Sequence, residues 1–362
     1  MAALKKKIKK DSTAEVGLLS DADILSEVTE WIPSGFAGLD TILGGGWPVG
    51  RCVEIFGSEG AGKSALTHAA VKACQQMGGT VLYIDFETAL DPEKLAQLQI
   101  DPKALIYCSP DTLEEGWDIL YAMLDQLQAR APDAPTLIVW DSIAASVPAK
   151  LLSADAGDAH VALIARSMSA NCGKVMRKIA KMRACLMWVN QERHKIGGFG
   201  FGEQYQTTGG MAVRYACSIR CQLRRRATLK QGETATGYLV QVRTVKNRGF
   251  PPHRQVTWLL DFREGPSPAL TMMQHLKDAR VLKSSKGTGF TAPWLKGGTI
   301  QADDWTRRYT EDADFREGAD IAYAAHILPA LRKGTRAEQP GDAAVAGSGA
   351  AEEESEAVDA TP

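Results

Sequence analysis

Gly57-Ser58-Glu59-Gly60-Ala61-Gly62-Lys63-Ser64 follows directly on the mostly apolar run 51–56 (RCVEIF) and opens a stretch of helical period over residues 63–76. It fits the pattern G-x-x-x-x-G-K-[ST], and the order strand, glycine-rich turn, helix is the setting that pattern requires. In such a loop the backbone N–H groups of Gly57, Ser58, Glu59, Gly60, Ala61 and Gly62 turn inward toward phosphate oxygens, and the helix start adds its positive dipole end. Lys63 then reaches the β- and γ-phosphates and Ser64 ligates Mg²⁺. Ala65 completes the set of candidate nucleotide contacts. The chemistry expected of this stretch is binding of a nucleoside triphosphate, ATP, with Mg²⁺.

Working outward, residues 80–85 (TVLYID), 136–140 (TLIVW) and 184–189 (ACLMWV) read as further buried strands, each separated from the next by helix-compatible sequence. Apolar strand runs alternating with helices predict an α/β fold with a mostly parallel central sheet covered on both faces. From about residue 216 to 260 the pattern changes to strand-rich alternation, which predicts antiparallel additions at the sheet edge. Gly265-Pro266-Ser267-Pro268 is a breaker. The predicted organisation is therefore an N-terminal arm (1–32) with a helix-like stretch over 21–31, a nucleotide-binding core (33–266), a small α/β module (267–335) and a disordered acidic tail (336–362). In the small module, helices are expected over 270–279 and 315–331.

Composition narrows the function classes. The chain has 362 residues, 44% of them apolar, and 42 basic against 43 acidic groups, which excludes a wholly basic nucleic-acid binder and argues against general disorder. No apolar run is long enough to cross a membrane, and no secretory h-region follows the charged start, so a cytoplasmic location is expected. The seven cysteines are scattered, without CxxC or Cys/His spacing, and read as reduced core thiols with no zinc site. The near-neutral charge conceals an asymmetry. Residues 341–362 carry six acids and no base, so the remainder has a net charge of +5. A basic body with a separable acidic tail suits a polyanion-binding surface; a solubilising tail and a solvated lysine run are the plainer reading.

Other strand ends carry polar groups. Asp141 ends the TLIVW run, where a second-sphere Mg²⁺ aspartate stands in phosphate-loop ATPases. Glu87, just after the TVLYID strand, is a candidate general base for the attacking water, or else a helix cap or ion-pair partner. Asn190-Gln191 ends the ACLMWV run, and its neutral amide suits a γ-phosphate sensor. The glycine-rich stretch that follows, 192–210, carries Arg193, His194 and Lys195 and interleaves Phe199, Phe201 and Tyr205. It reads as a loop for single-stranded nucleic acid or as a substrate lid.

Taken in order, the phosphate loop, YIDFETALDP, LIVWDS, GDAHVALIARSMS, VNQERHKIGGFG…TTGG and TVKNR resemble the RecA family of homologous-recombination ATPases, bacterial and phage-encoded. The resemblance covers about residues 33–335 and implies a RecA-like ATPase core. It implies that Lys63, Ser64 and Asp141 hold ATP and Mg²⁺, that Glu87 is the catalytic glutamate, and that Gln191 couples the γ-phosphate to the DNA loop. It also implies that Asp91 contacts the adenine and that Lys246 and Arg248 reach the ATP of a neighbouring subunit. A first DNA loop is implied at 148–158 with Arg166 behind it, and a second at 193–210, where Arg193, Lys195, Gly209 and Gly210 meet DNA. Arg224, Arg225 and Arg243 match basic positions of the DNA groove. The implied partners are single-stranded DNA, double-stranded DNA and further copies of the chain in a helical filament, and the implied activity is DNA-dependent ATP hydrolysis coupled to strand exchange.

Three departures stand out. Lys94 occupies the position of an adenine-stacking tyrosine, Gly173 that of an arginine with Lys174 beside it, and the second loop is about one residue longer. Two other functions share the motifs: a non-catalytic recombination mediator, against which the intact Lys63, Ser64, Glu87, Asp141 and Gln191 argue, and a hexameric helicase, against which the TTGG loop end argues. In the small module, Lys277, Lys283, Lys286 and Lys296 read either as a gateway for duplex DNA or as a solvated face.

Overall fold

The computed structural model describes residues 28–130, 132–152, 159–194, 205–231, 233–285, 289–295 and 298–333. These fall into two compact units that divide after Pro268.

The first unit begins with β1 (Trp31–Ile32), α1 (Ala37–Leu43), β2 (Trp47–Pro48), β3 (Arg51–Gly57), α2 (Lys63–Gln76), β4 (Thr80–Asp85), α3 (Pro92–Gln97) and β5 (Leu105–Cys108). It continues with α4 (Leu113–Arg130), β6 (Thr136–Asp141), α5 (Ala149–Leu152), α6 (Ala159–Ile179), β7 (Ala184–His194), β8 (Tyr205–Thr207) and α7 (Gly210–Ala216). The last strands are β9 (Cys217–Gln231), β10 (Thr234–Asn247), β11 (Gln255–Asp261) and β12 (Gly265–Pro266). The main sheet runs β12-β11-β10-β9-β3-β7-β6-β4-β5, with β8 added to β7. From β9 to β5 every pairing is parallel, and from β9 outward to β12 every pairing is antiparallel. This is the mostly parallel sheet with an antiparallel edge expected from the sequence.

The parallel strands are apolar along nearly their whole length because both faces are covered. Val53, Ile55, Leu82, Ile84, Ile138, Trp140, Leu186 and Trp188 are buried. On one face Leu82, Ile84, Ile138, Trp140, Leu186 and Trp188 pack with Leu113, Trp117, Leu120 and Leu124 of α4 and with Ile164, Met168, Cys172 and Val175 of α6. Each such aliphatic side chain contributes about 1.5–3 kcal/mol on burial. All seven cysteines are free, six of them buried, in agreement with reduced core thiols. Among the described residues no helix is long and apolar enough to cross a membrane.

The expected helix over 21–31 is not helical where it is described. Trp31–Ile32 is extended and pairs with Trp47–Pro48, so a local strand partner overrides the helical period there.

The second unit contains α8 (Pro268–Asp278), β13 (Lys283–Ser284), β14 (Gly289–Thr291), β15 (Ile300–Gln301), α9 (Ala302–Glu311), α10 (Ala313–His326) and α11 (Leu328–Lys333). The three short strands form one antiparallel sheet. Its core gathers Leu276, Phe290, Trp305, Phe315 and Tyr323. The helix expected over 315–331 is interrupted at Ile327, and α9 was not anticipated. Asp312 explains its boundary: its carboxylate caps α10 by accepting the Phe315 N–H at 3.0 Å.

Candidate functional site

The phosphate loop closes the C-terminal end of β3. Gly62, with φ +89°, is the N-cap of α2, a left-handed conformation that a side chain would strain. Ser58, Glu59 and Gly60 are exposed at the loop crest, Ala61 is buried and Ala65 half-buried. Lys63 Nζ donates to the carbonyls of Ser58 (2.8 Å) and Gly57 (3.2 Å). Its pKa is lowered, chiefly by burial, against the attraction of Glu87, Asp141, Glu59 and Glu192.

Asp141 ends β6 level with Asp85 at the end of β4. Tyr83 Oη donates to Asp141 Oδ2 at 2.6 Å. Burial pushes the Asp141 carboxyl up to about 6, with Glu87 and Asp85 adding to the rise and the Tyr83 hydrogen bond and Lys63 opposing it. A buried carboxylate raised in this way gains from a nearby dication, and the Ser64 hydroxyl lines the same cavity of about 190 Å³. These two oxygens fit Mg²⁺, although among the described residues no cluster of three or more His, Cys, Asp or Glu could hold a metal alone.

Glu87 sits on the turn after β4. Asp85 shapes that turn by accepting the N–H groups of Glu87 (2.9 Å), Ala89 (3.0 Å) and Leu90 (3.3 Å). Phe86 anchors it from behind, 5.1 Å from the Trp140 ring, which in turn lies 4.8 Å from Trp117. Two side chains then meet Glu87 Oε1: Ser142 Oγ donates at 2.6 Å and Gln191 Nε2 at 3.4 Å. The structure thus gathers Lys63, Ser64, Glu87, Asp141 and Gln191 at the C-terminal ends of adjacent strands. Neither Ser142 nor Tyr83 was picked out from the sequence.

Asp91 lies on the same side, lining the cavity together with Ser64, His68 and Lys94. Its carboxylate is already engaged as the N-cap of α3, accepting from the N–H groups of Glu93 (2.9 Å) and Lys94 (3.5 Å). Lys246 and Arg248 lie elsewhere. Lys246 is level with the middle of β3, since it stands opposite Arg220 and Arg220 beside Glu54, and Arg248, whose N–H donates to the Ser218 carbonyl, lies further toward the start of β3. Lys246 Nζ donates to the carbonyls of Arg214 (2.5 Å) and Tyr215 (3.3 Å), and Arg248 Nη2 to that of Tyr215 (2.9 Å). They do not meet Lys63 within the chain. Arg51, Arg177 and Arg248 line a cavity of about 690 Å³ at this end, and among the described residues no carboxylate lines it.

The basic candidates are distributed around the β7–α7 segment. Arg166 on α6 and Arg193 on β7 are exposed. Arg224 lies 5.2 Å over the Tyr205 ring and Arg225 4.6 Å over that of Tyr238; as strand neighbours they point to opposite faces. Arg243 stands opposite Gln222, on the Arg224 face. Gly209, with φ +93°, caps α7, and a Cβ on it would lie 2.8 Å from Val213 Cγ2; Gly210 begins the helix. Lys195, residues 153–158 of the first expected loop, residues 195–204 of the second, Lys286, Lys296 and the acidic tail lie outside the described residues. In the small module Lys277 lies 4.6 Å over the Phe290 ring, and Lys283 is exposed on β13.

Comparison with known proteins gives one family. The model of the RecA N-terminal domain matches residues 1–267. A RecA protein of Helicobacter hepaticus is 40% identical over 242 residues, covering 67% of this chain and 68% of the relative. That of Wolinella succinogenes is 40% identical over 242 residues, 67% of each chain. One of Campylobacter jejuni is 39% identical over 267 residues, 74% of this chain and 76% of the relative.

Proposed function

Because the chain belongs to the RecA family, we propose that it is an ATP-dependent recombinase that forms helical filaments on single-stranded DNA and catalyses homologous pairing and strand exchange with double-stranded DNA. The observation that carries this reading is Gln191 Nε2 reaching Glu87 Oε1 from the strand that runs straight on into the loop at 193–210. One amide thus touches the hydrolytic carboxylate and stands at the head of the DNA-facing segment.

In this reading the Lys63 ammonium exchanges the Gly57 and Ser58 carbonyls for phosphate oxygens, which are better partners for a partly desolvated cation. Ser64 and Asp141 would hold Mg²⁺, which would supply positive charge to offset the negative charge that develops on the phosphates. Glu87 accepts the proton of the attacking water, with Ser142 holding one oxygen so that the other can face the nucleotide. Gln191 leaves Glu87 for the γ-phosphate when ATP is bound and draws the end of β7 with it. Hydrolysis releases Gln191 and weakens the hold on DNA.

Filament growth is supported by the polarity of β3. Its C-terminal end carries the phosphate loop and its N-terminal end the arginine-lined cavity that includes Arg248. Two different surfaces at opposite ends of one strand suit head-to-tail contacts, which grow open helices when the rotation does not close. Lys246 and Arg248 would then serve the nucleotide of the next subunit. Arg166, Arg193, Lys195, Arg224, Arg225 and Arg243, with the backbone at Gly209 and Gly210, supply the contacts to DNA, most of them to phosphate and therefore salt-sensitive.

Negative-stain electron microscopy with single-stranded DNA and a slowly hydrolysed ATP analogue tests the reading. Long helical filaments are expected only with both ligands present. Closed rings threaded by DNA would replace it with a helicase, and the absence of any assembly would point to a mediator.

A further inference from the structure

We infer that Glu54, Arg220 and Asn190 are positioning residues that transmit the state of the nucleotide site to the C-terminal anchor of the loop at 193–210. The inference rests on the proposed function and goes beyond it by naming the link between the two sites.

Glu54 sits in the middle of β3, in a strand that is otherwise almost wholly apolar, and its side chain is 0% exposed; that of its partner Arg220 is 7% exposed. Replacing a buried ion pair by apolar side chains of similar size is often neutral or stabilising, so such a pair is weak grounds for stability. What these two charges touch is more informative. Glu54 Oε2 accepts Arg220 Nε at 2.5 Å, and Glu54 Oε1 accepts Asn190 Nδ2 at 2.9 Å. Arg220 Nη2 donates to Thr207 Oγ1 at 3.3 Å, and its guanidinium lies 4.7 Å over the Phe56 ring. Asn190 Nδ2 donates also to the Thr208 carbonyl at 2.8 Å, while Asn190 Oδ1 accepts the backbone N–H of Gln191 at 2.9 Å.

The network therefore has two outlets. One is the Gln191 backbone, whose side chain meets Glu87. The other is Thr207-Thr208, which leads directly into Gly209 and the start of α7. The next residue on the same face of β9 extends the grip: Gln222 Nε2 donates to Glu192 Oε1 at 2.5 Å, so β9 holds both the entry and the exit of the loop. Polar groups buried this deeply cannot lose a partner to water. A displacement of Gln191 toward a bound γ-phosphate must either carry Asn190 along, and with it the Thr208 carbonyl, or leave a buried carboxylate short of a donor. A network confined in this way has discrete arrangements rather than continuous ones.

The test uses the full-length chain with the paired substitution Glu54→Leu and Arg220→Met, which removes both charges together. Affinity for a fluorescent single-stranded oligonucleotide is measured with and without a slowly hydrolysed ATP analogue, and affinity for the analogue is measured alone. Couplings between sites are typically about 5- to 150-fold and reciprocal. The wild-type chain should bind the oligonucleotide more tightly with the analogue. The double variant should bind the analogue within about threefold of wild type yet lose about tenfold or more of the tightening. A folded double variant that keeps the full tightening overturns the inference. Should the double variant fail to fold, Thr207→Val removes only the hydroxyl acceptor; a loss of about threefold in coupling is expected, and full coupling overturns the inference. A wild-type chain that binds the oligonucleotide identically with and without nucleotide would overturn the proposed function itself and the link with it.

Discussion

Ser142 Oγ donates to Glu87 Oε1 at 2.6 Å across 55 positions of sequence, so the residue after Asp141 orients the carboxylate to which the proposed function gives the attacking water. The hydroxyl fixes one oxygen of Glu87, and Gln191 Nε2 approaches the same oxygen at 3.4 Å. The second oxygen is left for chemistry. Positioned acids and bases of this kind contribute about 10²–10⁴-fold to rate.

From this arrangement Glu87→Gln should slow DNA-stimulated ATP hydrolysis by about 10²-fold or more while ATP affinity stays within a few-fold. Ser142→Ala, which frees the carboxylate without removing it, should cost about tenfold, the scale of one neutral hydrogen bond to a charged group. Steady-state phosphate release and equilibrium binding of a fluorescent nucleotide measure the two quantities. Hydrolysis in Glu87→Gln equal to wild type would remove Glu87 from the mechanism.

The arginines of β9 should separate by what they touch. Arg224→Ala and Arg225→Ala should each weaken single-stranded DNA binding at low salt and reduce the slope of log K against log salt by about 1, with no dependence on sequence. Gly209→Ala should act differently. Its Cβ would collide with Val213 Cγ2 at a positive φ, so it should disturb the loop anchor and lose affinity without altering the slope. Titrations of labelled oligonucleotide over a series of salt concentrations make the distinction.

Two partly buried groups should give opposing pH dependences of stability. Burial, with help from the Lys94 charge, lowers the His68 imidazole to about 4, and its Nε2 has no hydrogen-bond partner. The unfolded chain takes up this proton near 6.5, so the contribution is full above that pH and is lost as pH falls toward 4. Burial raises the Asp40 carboxyl from 3.8 to about 6 against hydrogen bonds from Ser34. Its contribution is full below 3.8 and is lost as pH rises toward 6. Each amounts to at most about 3–3.5 kcal/mol at 1.36 kcal/mol per pKa unit. Between about pH 4 and 6.5, His68→Leu should therefore make denaturant stability fall with rising pH relative to wild type, and Asp40→Asn should make it rise. Parallel profiles for all three chains would contradict the assignment.

Much of this architecture was legible in the sequence because the signals were local. The phosphate loop lies between an apolar strand and a helix whose bounds, Lys63–Gln76, match the periodicity, and the buried strands at 80–85, 136–141 and 184–194 are continuous apolar runs at least at their starts. Lys63, Ser64, Glu87, Asp141 and Gln191 come together because each opens a helix or lies at or just past the C-terminal end of a parallel pairing, where such ends share one edge of the sheet. What escaped was held by distant partners. Ser142 and Tyr83 act through contacts 55 and 58 positions away. Glu54 depends on Arg220, 166 positions on. A lone acid inside RCVEIF was the available signal, since a carboxylate in a fully buried strand must have a partner. Trp31 was misread for the same reason: its strand partner Pro48 outweighs the local period.

Strand exchange between circular single-stranded DNA and a homologous linear duplex, in the presence of ATP and Mg²⁺, tests the central claim most directly. The wild-type chain should convert the substrates to joint molecules and then to nicked circles, with no product from a heterologous duplex. Lys63→Ala, which removes the phosphate-loop cation, should form none. Hydrolysis of ATP stimulated by DNA but without any joint molecule, or joint molecules that form equally well with Lys63→Ala, would contradict the account.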